Sequence, residues 1–455
     1  MHSARCRLSL MLFCAALLAA PEAASAKTLC VNPKGSDGCY SKIQSAVNAA
    51  SANDVIKVAP GTYAEDVTIW KALSLLGSGA EHTVIDATNL AHGIFLDGLD
   101  HPGLNNVTIV GFTIRHALYE GVLVVNTADV TIRDNHIVDN DLIPGVVFGS
   151  GAACPGQPGT GTYETDESGD CGGGLHLVGA VNSIVSGNFI SGNGDGILLS
   201  DETAETKNNL IIRNIVIDNP SECGVVLASH PPAGSSPPFF APHFGVDNNT
   251  ISENVVSRNG VKVGGAGVGL FSDGAGPGRV SGNVIIRNEL TGNGIPGVAL
   301  HTHVGPAFGA PADNMSGNTI VGNFISGNGP DIDDTATPGP TGININSGGG
   351  GSPVTGTIIS QNIIRDEDVD IAVNTPTEVD AHLNDLLGGK IGVANVCALD
   401  HAACTGTIDA TENFWRCHDG PGHKGCSTTS GANILWIPWL EKSITDEREG
   451  EGDHH

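Results

Sequence analysis

Between residues 132 and 364 aliphatic and polar positions alternate in short runs, and an asparagine recurs within the alternation. Seven asparagines, Asn135, Asn188, Asn214, Asn254, Asn288, Asn323 and Asn362, each have an aliphatic residue three positions earlier and another two positions later. The earlier residues are Ile132, Val185, Ile211, Ile251, Ile285, Ile320 and Ile359; the later ones are Ile137, Ile190, Val216, Val256, Leu290, Ile325 and Ile364. Six of the seven are followed five residues on by a second asparagine, Asn140, Asn193, Asn219, Asn259, Asn293 and Asn328, and in the last repeat Glu367 takes that place. The shortest interval, Asn188 to Asn214, is 26 residues, so the unit is one short supersecondary turn with insertions elsewhere. Period-two runs rich in Val and Ile predict strands with one buried face, and no helical periodicity of useful length crosses this region.

Asparagine tolerates left-handed backbone angles better than other residues with a Cβ, so it is expected at the corners between strands. Coils stacked about 4.8 Å apart would let its side-chain amides bond into two ladders. A third strand follows each pair of corners, beginning at Gly196, Gly224, Gly267, Gly297 and Gly342, each with aliphatic residues after it. Three strands per coil around an aliphatic core describe a parallel β-helix. At the N-terminus, residues 43–50 read as a short amphipathic cap helix, and residues 55–63 and 73–77 as the first coils.

With these features the chain resembles the right-handed parallel β-helix superfamily of pectate-lyase-like proteins, over roughly residues 28–440. The fold class expected is all-β, a single-stranded right-handed parallel β-helix solenoid with an N-terminal cap helix and a disulfide-bearing C-terminal cap. The superfamily hosts lyases, hydrolases, esterases, epimerases, adhesins and accessory proteins, so the resemblance alone fixes no activity. The segment 410–426, continuing to Trp439 and Leu440, looks like the closing module of exported members, with Trp415, Trp436 and Trp439 covering the last coil. The expected boundaries are 1–26 for a signal peptide, 27–396 for the β-helix, 397–440 for the capping module and 441–455 for a charged, disordered tail.

Residues 1–26 read as a secretory signal, with Arg5 and Arg7, an apolar run over 8–20 and Ala24-Ser25-Ala26 before the cleavage point. That run is short for a membrane span and no second one follows, so a secreted or periplasmic protein is expected, and a monomer. Eight of the remaining cysteines form close pairs, Cys30 with Cys39, Cys154 with Cys171, Cys397 with Cys404 and Cys417 with Cys426, which suit disulfides in an oxidising compartment. Cys223 is left as a packed thiol. The formal charge of −28 argues against nucleic acid and anionic membranes as partners. A polysaccharide is the expected partner, and because polyuronates are themselves polyanions, either bound Ca²⁺ bridges the two or the ligand is neutral or cationic.

Long insertions at 148–173, 230–244, 260–266 and 329–341 border the third strands and are expected to wall one sheet face. Aligning those strands puts His176, Leu198, Val226, Gly269, Ala299 and Asn344 in one outward column, and Val178, Ser200, Ala228, Phe271, His301 and Asn346 in the next. Two residues further lie Glu202, His230, Asp273 and His303 on successive coils, alternating acid and imidazole at a spacing where neighbours shift each other's titration. With His301, these are the candidate catalytic residues, an acid–base set or part of a divalent metal site; the alternative places them in a turn, scattered into water. Asp331, Asp333 and Asp334 are the candidate Ca²⁺ ligands. Arg213 and Arg287 precede their anchors in a common column, and lyases of the superfamily use an arginine base, but no set of Ca²⁺-binding aspartates surrounds them and surface charge is the expected role.

No G-x-S-x-G elbow, H-E-x-x-H or P-loop occurs. The superfamily also includes periplasmic proteins that help mature the copper sites of nitrous oxide reductase, but Met315 is the one methionine beyond the signal, which disfavours a soft-metal carrier. Two functions therefore stand: a polysaccharide-active lyase, hydrolase or epimerase, and a non-catalytic exported carbohydrate-binding or structural module.

Overall fold

The computed structural model describes residues 26–141, 173–230, 243–272, 277–302, 306, 309–332, 337–347, 351–396 and 406–445. Three long parallel sheets run the length of the molecule, of 14, 12 and 11 strands, with a short sheet of three strands beside them. Each coil contributes a strand to a first, a second and a third sheet in turn. Ile132, for example, pairs with Ile109 and Val185 in the first, Ile137 with Ile114 and Ile190 in the second, and Leu177 with Val124 and Leu199 in the third. This is the expected parallel β-helix.

The alternation seen in the sequence is the alternation of inside and outside. In the first two sheets most strands are three or four residues long, and the aliphatic residues flanking each of the seven anchor asparagines point into one continuous core, all fully buried. The third sheet departs from this. Its strands Val122–Val125, Leu175–Val178, Ile197–Ser200, Val225–Ser229, Val268–Ser272 and Val298–Thr302 are buried on both faces.

Asparagine ladders hold the coils in register. Asn214 Oδ1 accepts from the backbone N–H of Asn188 (3.0 Å) and its side-chain amide (2.9 Å), while Asn214 Nδ2 donates to Asn254 Oδ1 (3.0 Å) and the Val185 carbonyl (2.9 Å). All four hydrogen-bonding positions of the buried amide are thus filled. The first ladder continues beyond the seven expected anchors to Asn384 and Asn413. The second ends as the sequence pattern indicates, with Glu367 Oε1 accepting from the Asn328 backbone (2.9 Å) and amide (3.0 Å). A third ladder, Asn209, Asn249, Asn283 and Asn318, lines the corner between third and first sheets.

The corner geometry corrects the expectation for asparagine. The left-handed residue is the one before the anchor: Asp134, Gly187, Arg213, Glu253, Arg287, Gly322 and Gln361 have φ between 55° and 67°, whereas the anchors do not. The asparagines are selected for their amides and not for their backbone. Arg213 and Arg287 therefore sit exposed on a corner, beside Glu253 at 2.8 and 4.0 Å, as surface ion pairs.

The helix Ile43–Ala49 caps the N-terminal end, burying Ile43, Ala46 and Val47. Its first free N–H groups, those of Ile43 and Gln44, donate to the Glu65 carboxylate at 2.9 and 3.1 Å, so an acid from the following coil replaces a local cap. At the other end Trp415 is fully buried, and Trp436 and Trp439 pack on the core with ring centroids 5.7 Å apart. Disulfides join Cys30 to Cys39 and Cys417 to Cys426, and Cys223 is a buried thiol whose Sγ accepts from the Ala266 N–H at 3.0 Å. The pairs Cys154 with Cys171 and Cys397 with Cys404 lie outside the described residues.

Candidate functional site

Parallel pairing of the third-sheet strands puts the outward residues in the columns expected from the sequence. His176 stands beside Leu198, then Val226, Gly269, Ala299 and Asn344; Ser200 stands beside Ala228, then Phe271 and His301. Glu202 and His230 lie just beyond the ends of neighbouring strands. Neither an open cleft nor a solvated turn surrounds them: Glu202 is 2% exposed and His230 0%, and His230 Nδ1 is 2.9 Å from Glu202 Oε1.

A buried carboxylate beside a buried imidazole is an ionisable pair taken out of water, charged on both sides only when the imidazole holds a second proton. Burial pushes the Glu202 carboxyl up, but the His230 charge and hydrogen bond, the His176 charge and the Ser200 hydroxyl outweigh it and hold Glu202 below its ordinary range. Ser200 Oγ donates to Glu202 Oε2 at 2.5 Å. Next to Glu202, Asp201 accepts from the His230 backbone N–H (2.7 Å), Ser229 Oγ (3.1 Å) and the Gly245 N–H (2.5 Å). Burial still pushes Asp201 up to about 7, with the Glu202 charge adding to it. His243, whose Nδ1 is 3.0 Å from Ser229 Oγ, is pushed down to about 4 by burial and by the His230 charge. The surroundings therefore favour the ionised form of Glu202 and the neutral form of His243, and oppose ionisation of Asp201.

The same face holds three residues that sequence alignment of the third strands from Gly174 onward did not reach as a group. Glu120 is fully buried, with Oε2 2.6 Å from His92 Nδ1 and Oε1 3.7 Å from His176 Nδ1. His176 Nε2 is 2.7 Å from Ser200 Oγ. The available signal was positional, since His92 and Glu120 each precede the glycine that opens a third strand, Gly93 and Gly121.

His301 is brought to a different partner. Its ring lies 4.4 Å from that of Phe271, and its Nδ1 is 3.7 Å from Asp331 Oδ2. Asp331, a candidate Ca²⁺ ligand, is buried and accepts from Asn344 Nδ2 at 2.6 Å, so it turns onto the third-sheet face. Asp273, His303, Asp333 and Asp334 lie outside the described residues. Among the described residues no group of three or more His, Cys, Asp or Glu side chains is arranged to hold a metal ion, and no helix is long and apolar enough to cross a membrane.

Comparison with known proteins agrees with this architecture. A family model described as right handed beta helix region matches residues 78–236. Among solved structures, the catalytic domain of a GH87 α-1,3-glucanase variant in complex with tetrasaccharides aligns with a TM-score of 0.50 at 12% identity, covering 87% of this chain and 66% of that one. The catalytic unit of the thermostable GH87 α-1,3-glucanase from Streptomyces thermodiastaticus aligns at 0.49 and 15% identity, covering 88% and 65%. The mannuronan C-5 epimerase AlgE4 A-module of Azotobacter vinelandii aligns at 0.46 and 16% identity, covering 91% and 99%. No curated protein matches the sequence. The chain is a right-handed parallel β-helix, and at these identities the likeness is one of fold.

Proposed function

We propose that this is an exported, polysaccharide-active β-helix protein in which His230 and Glu202 form the acid–base pair. The observation that carries the reading is the 2.9 Å contact between His230 Nδ1 and Glu202 on the covered face of the third sheet. The carboxylate fixes the imidazole as the Nδ1–H tautomer and stabilises its cation, so Nε2 becomes the base for a sugar C–H or O–H proton and, once charged, the acid for a leaving oxygen. Asp201, titrating near neutrality beside the pair, supplies a second proton site. The disulfides suit an oxidising compartment. A β-helix protein of comparable fold is a GH87 α-1,3-glucanase catalytic domain in complex with tetrasaccharides.

The complete burial of Glu202 and His230 favours a second reading, a carbohydrate-binding module in which the pair is structural. A glycan-array screen, followed by assays for unsaturated sugar ends, new reducing ends and epimerised residues on each hit, separates the two. The expected result is turnover that falls about 10²- to 10⁴-fold in His230→Ala and Glu202→Gln with glycan affinity retained. Binding without product, or turnover unchanged in both variants, would assign the pair a structural role.

A further inference from the structure

We propose that His176, Ser200, Glu202 and His230 form one hydrogen-bonded row across the outer face of the third sheet, with Glu120 and His92 in ion-pair contact at its far end, in which His176 and Ser200 are positioning residues that set the charge of the Glu202–His230 pair. The inference rests on the reading of that pair as the working acid–base unit. The row crosses the sheet diagonally, from the corner before the third strand at His92 and Glu120 to the corner after it at Glu202 and His230.

The polarity of the row follows from its donors. An ionised Glu202 can only accept, so it takes one proton from Ser200 Oγ and another from His230 Nδ1. Ser200 has a single hydroxyl proton, already committed to Glu202, so the 2.7 Å contact with His176 requires His176 Nε2–H to be the donor. His176 is therefore either the Nε2–H tautomer or the cation. Its Nδ1 faces Glu120 Oε1 at 3.7 Å, beyond hydrogen-bond reach but close enough for the carboxylate to favour the imidazolium form. His92 Nδ1 lies 2.6 Å from the second Glu120 oxygen, so a second imidazole stands in ion-pair contact with the same carboxylate.

Charge at the far end thus reaches the pair through two fixed hydrogen bonds. Among the described residues, groups at the two ends include Asp66, which feels the His92 charge, and Asp201 and His243, which feel that of His230. None of them replaces the Ser200 link. In a low-dielectric setting such a chain titrates as a unit.

The test is a ¹⁵N NMR titration of the histidine side chains of the whole protein without glycan, with circular dichroism to verify folding. In the unmodified protein His176 is expected as the Nε2–H form or the cation, and His230 with its proton on Nδ1. Ser200→Ala removes a donor from Glu202, and His176→Gln removes the imidazolium charge at any pH where His176 is protonated. Either leaves the Glu202 charge more fully to His230, whose titration is expected to rise by about half a pH unit or more. Ser200→Thr, which restores a hydroxyl, is expected to return it. An Nδ1–H tautomer at His176, or an unmoved His230 titration in folded Ser200→Ala and His176→Gln, would overturn the row. Because no glycan is present, a negative turnover assay together with a shifted His230 titration would sink the proposed function and leave the row standing.

Discussion

Glu367 carries the sharpest consequence of a single residue. It occupies an asparagine position in the second ladder, where Oε1 does the work of an amide oxygen, but Oε2 is buried with no hydrogen-bond partner among the described residues. Burial pushes this carboxyl up to about 7, the charges of Asp366 and Asp368 add to the rise, and the two hydrogen bonds from Asn328 oppose it. The sign follows from the folded state holding its proton more tightly than the unfolded chain. The neutral acid's full contribution is present below the unfolded value near 4.5 and is lost as pH rises to about 7. Glu367→Gln presents the same acceptor with no charge to bury. We expect it to stabilise the protein at pH 8 by on the order of 2 kcal/mol and to be close to neutral at pH 4.5, measured by urea unfolding at both values. Equal effects at the two pH values would refute the assignment. The sequence flagged this position, because Glu367 is the one departure from six asparagines; what it did not contain was the burial that makes the departure titrate.

At the scale of the element, the ladders are where sequence and structure can be compared most closely. The two expected ladders are present because their spacing was fixed by aliphatic residues at both sides. The extension to Asn384 and Asn413 escaped that pattern because the residues three before them are Ala381 and Ala410, too small to meet an Ile/Val/Leu rule although both are fully buried. The third ladder stood five residues before the first in four coils, at Asn209, Asn249, Asn283 and Asn318, and breaks to Ser183 at one side. Its signal was real but ran through fewer coils. Within the site, parallel register made the Glu202–His230 neighbourhood legible, since a one-residue slip would have turned every side chain to the other face. The contact of Glu120 with His176 was not legible, because it joins different columns and depends on side-chain reach.

The ladder geometry also makes a quantitative demand. Asn254→Ala would orphan the Asn214 backbone N–H and one of its two side-chain N–H groups, and would take one donor each from the Ile211 carbonyl and Asn288 Oδ1. At about 1–3 kcal/mol for each buried unsatisfied group, a loss of roughly 3–5 kcal/mol in global stability is expected. Hydrogen exchange should accelerate first at Asn214 and its neighbours, and an effect below about 1 kcal/mol in urea unfolding would mean that the ladder follows from the coil stacking and does not reinforce it.

For the whole molecule, charge decides what kind of chain can lie on this surface. A formal charge of −28 with few compensating basic residues leaves the exposed arginines largely spent in local pairs, Arg213 and Arg287 with Glu253 and Arg258 with Asp218. A polyuronate brings a negative charge with every sugar, and at physiological salt the screening length of about 8 Å is longer than the spacing between coils. Such a ligand meets repulsion on approach unless a divalent cation is shared between protein and polymer, whereas a neutral glucan meets none. Any polyuronate identified by array screening is therefore expected to bind with Ca²⁺ present and to lose at least about tenfold in affinity in EDTA, while a neutral glycan keeps its affinity in both. Salt gives the second reading. Without Ca²⁺, raising ionic strength should strengthen polyuronate binding by screening like charges, which is opposite to the behaviour of a basic cleft. Calorimetric titration over a range of salt concentrations distinguishes the cases, and tight polyuronate binding in EDTA at low salt would show that a local basic surface, and not the net charge, governs recognition.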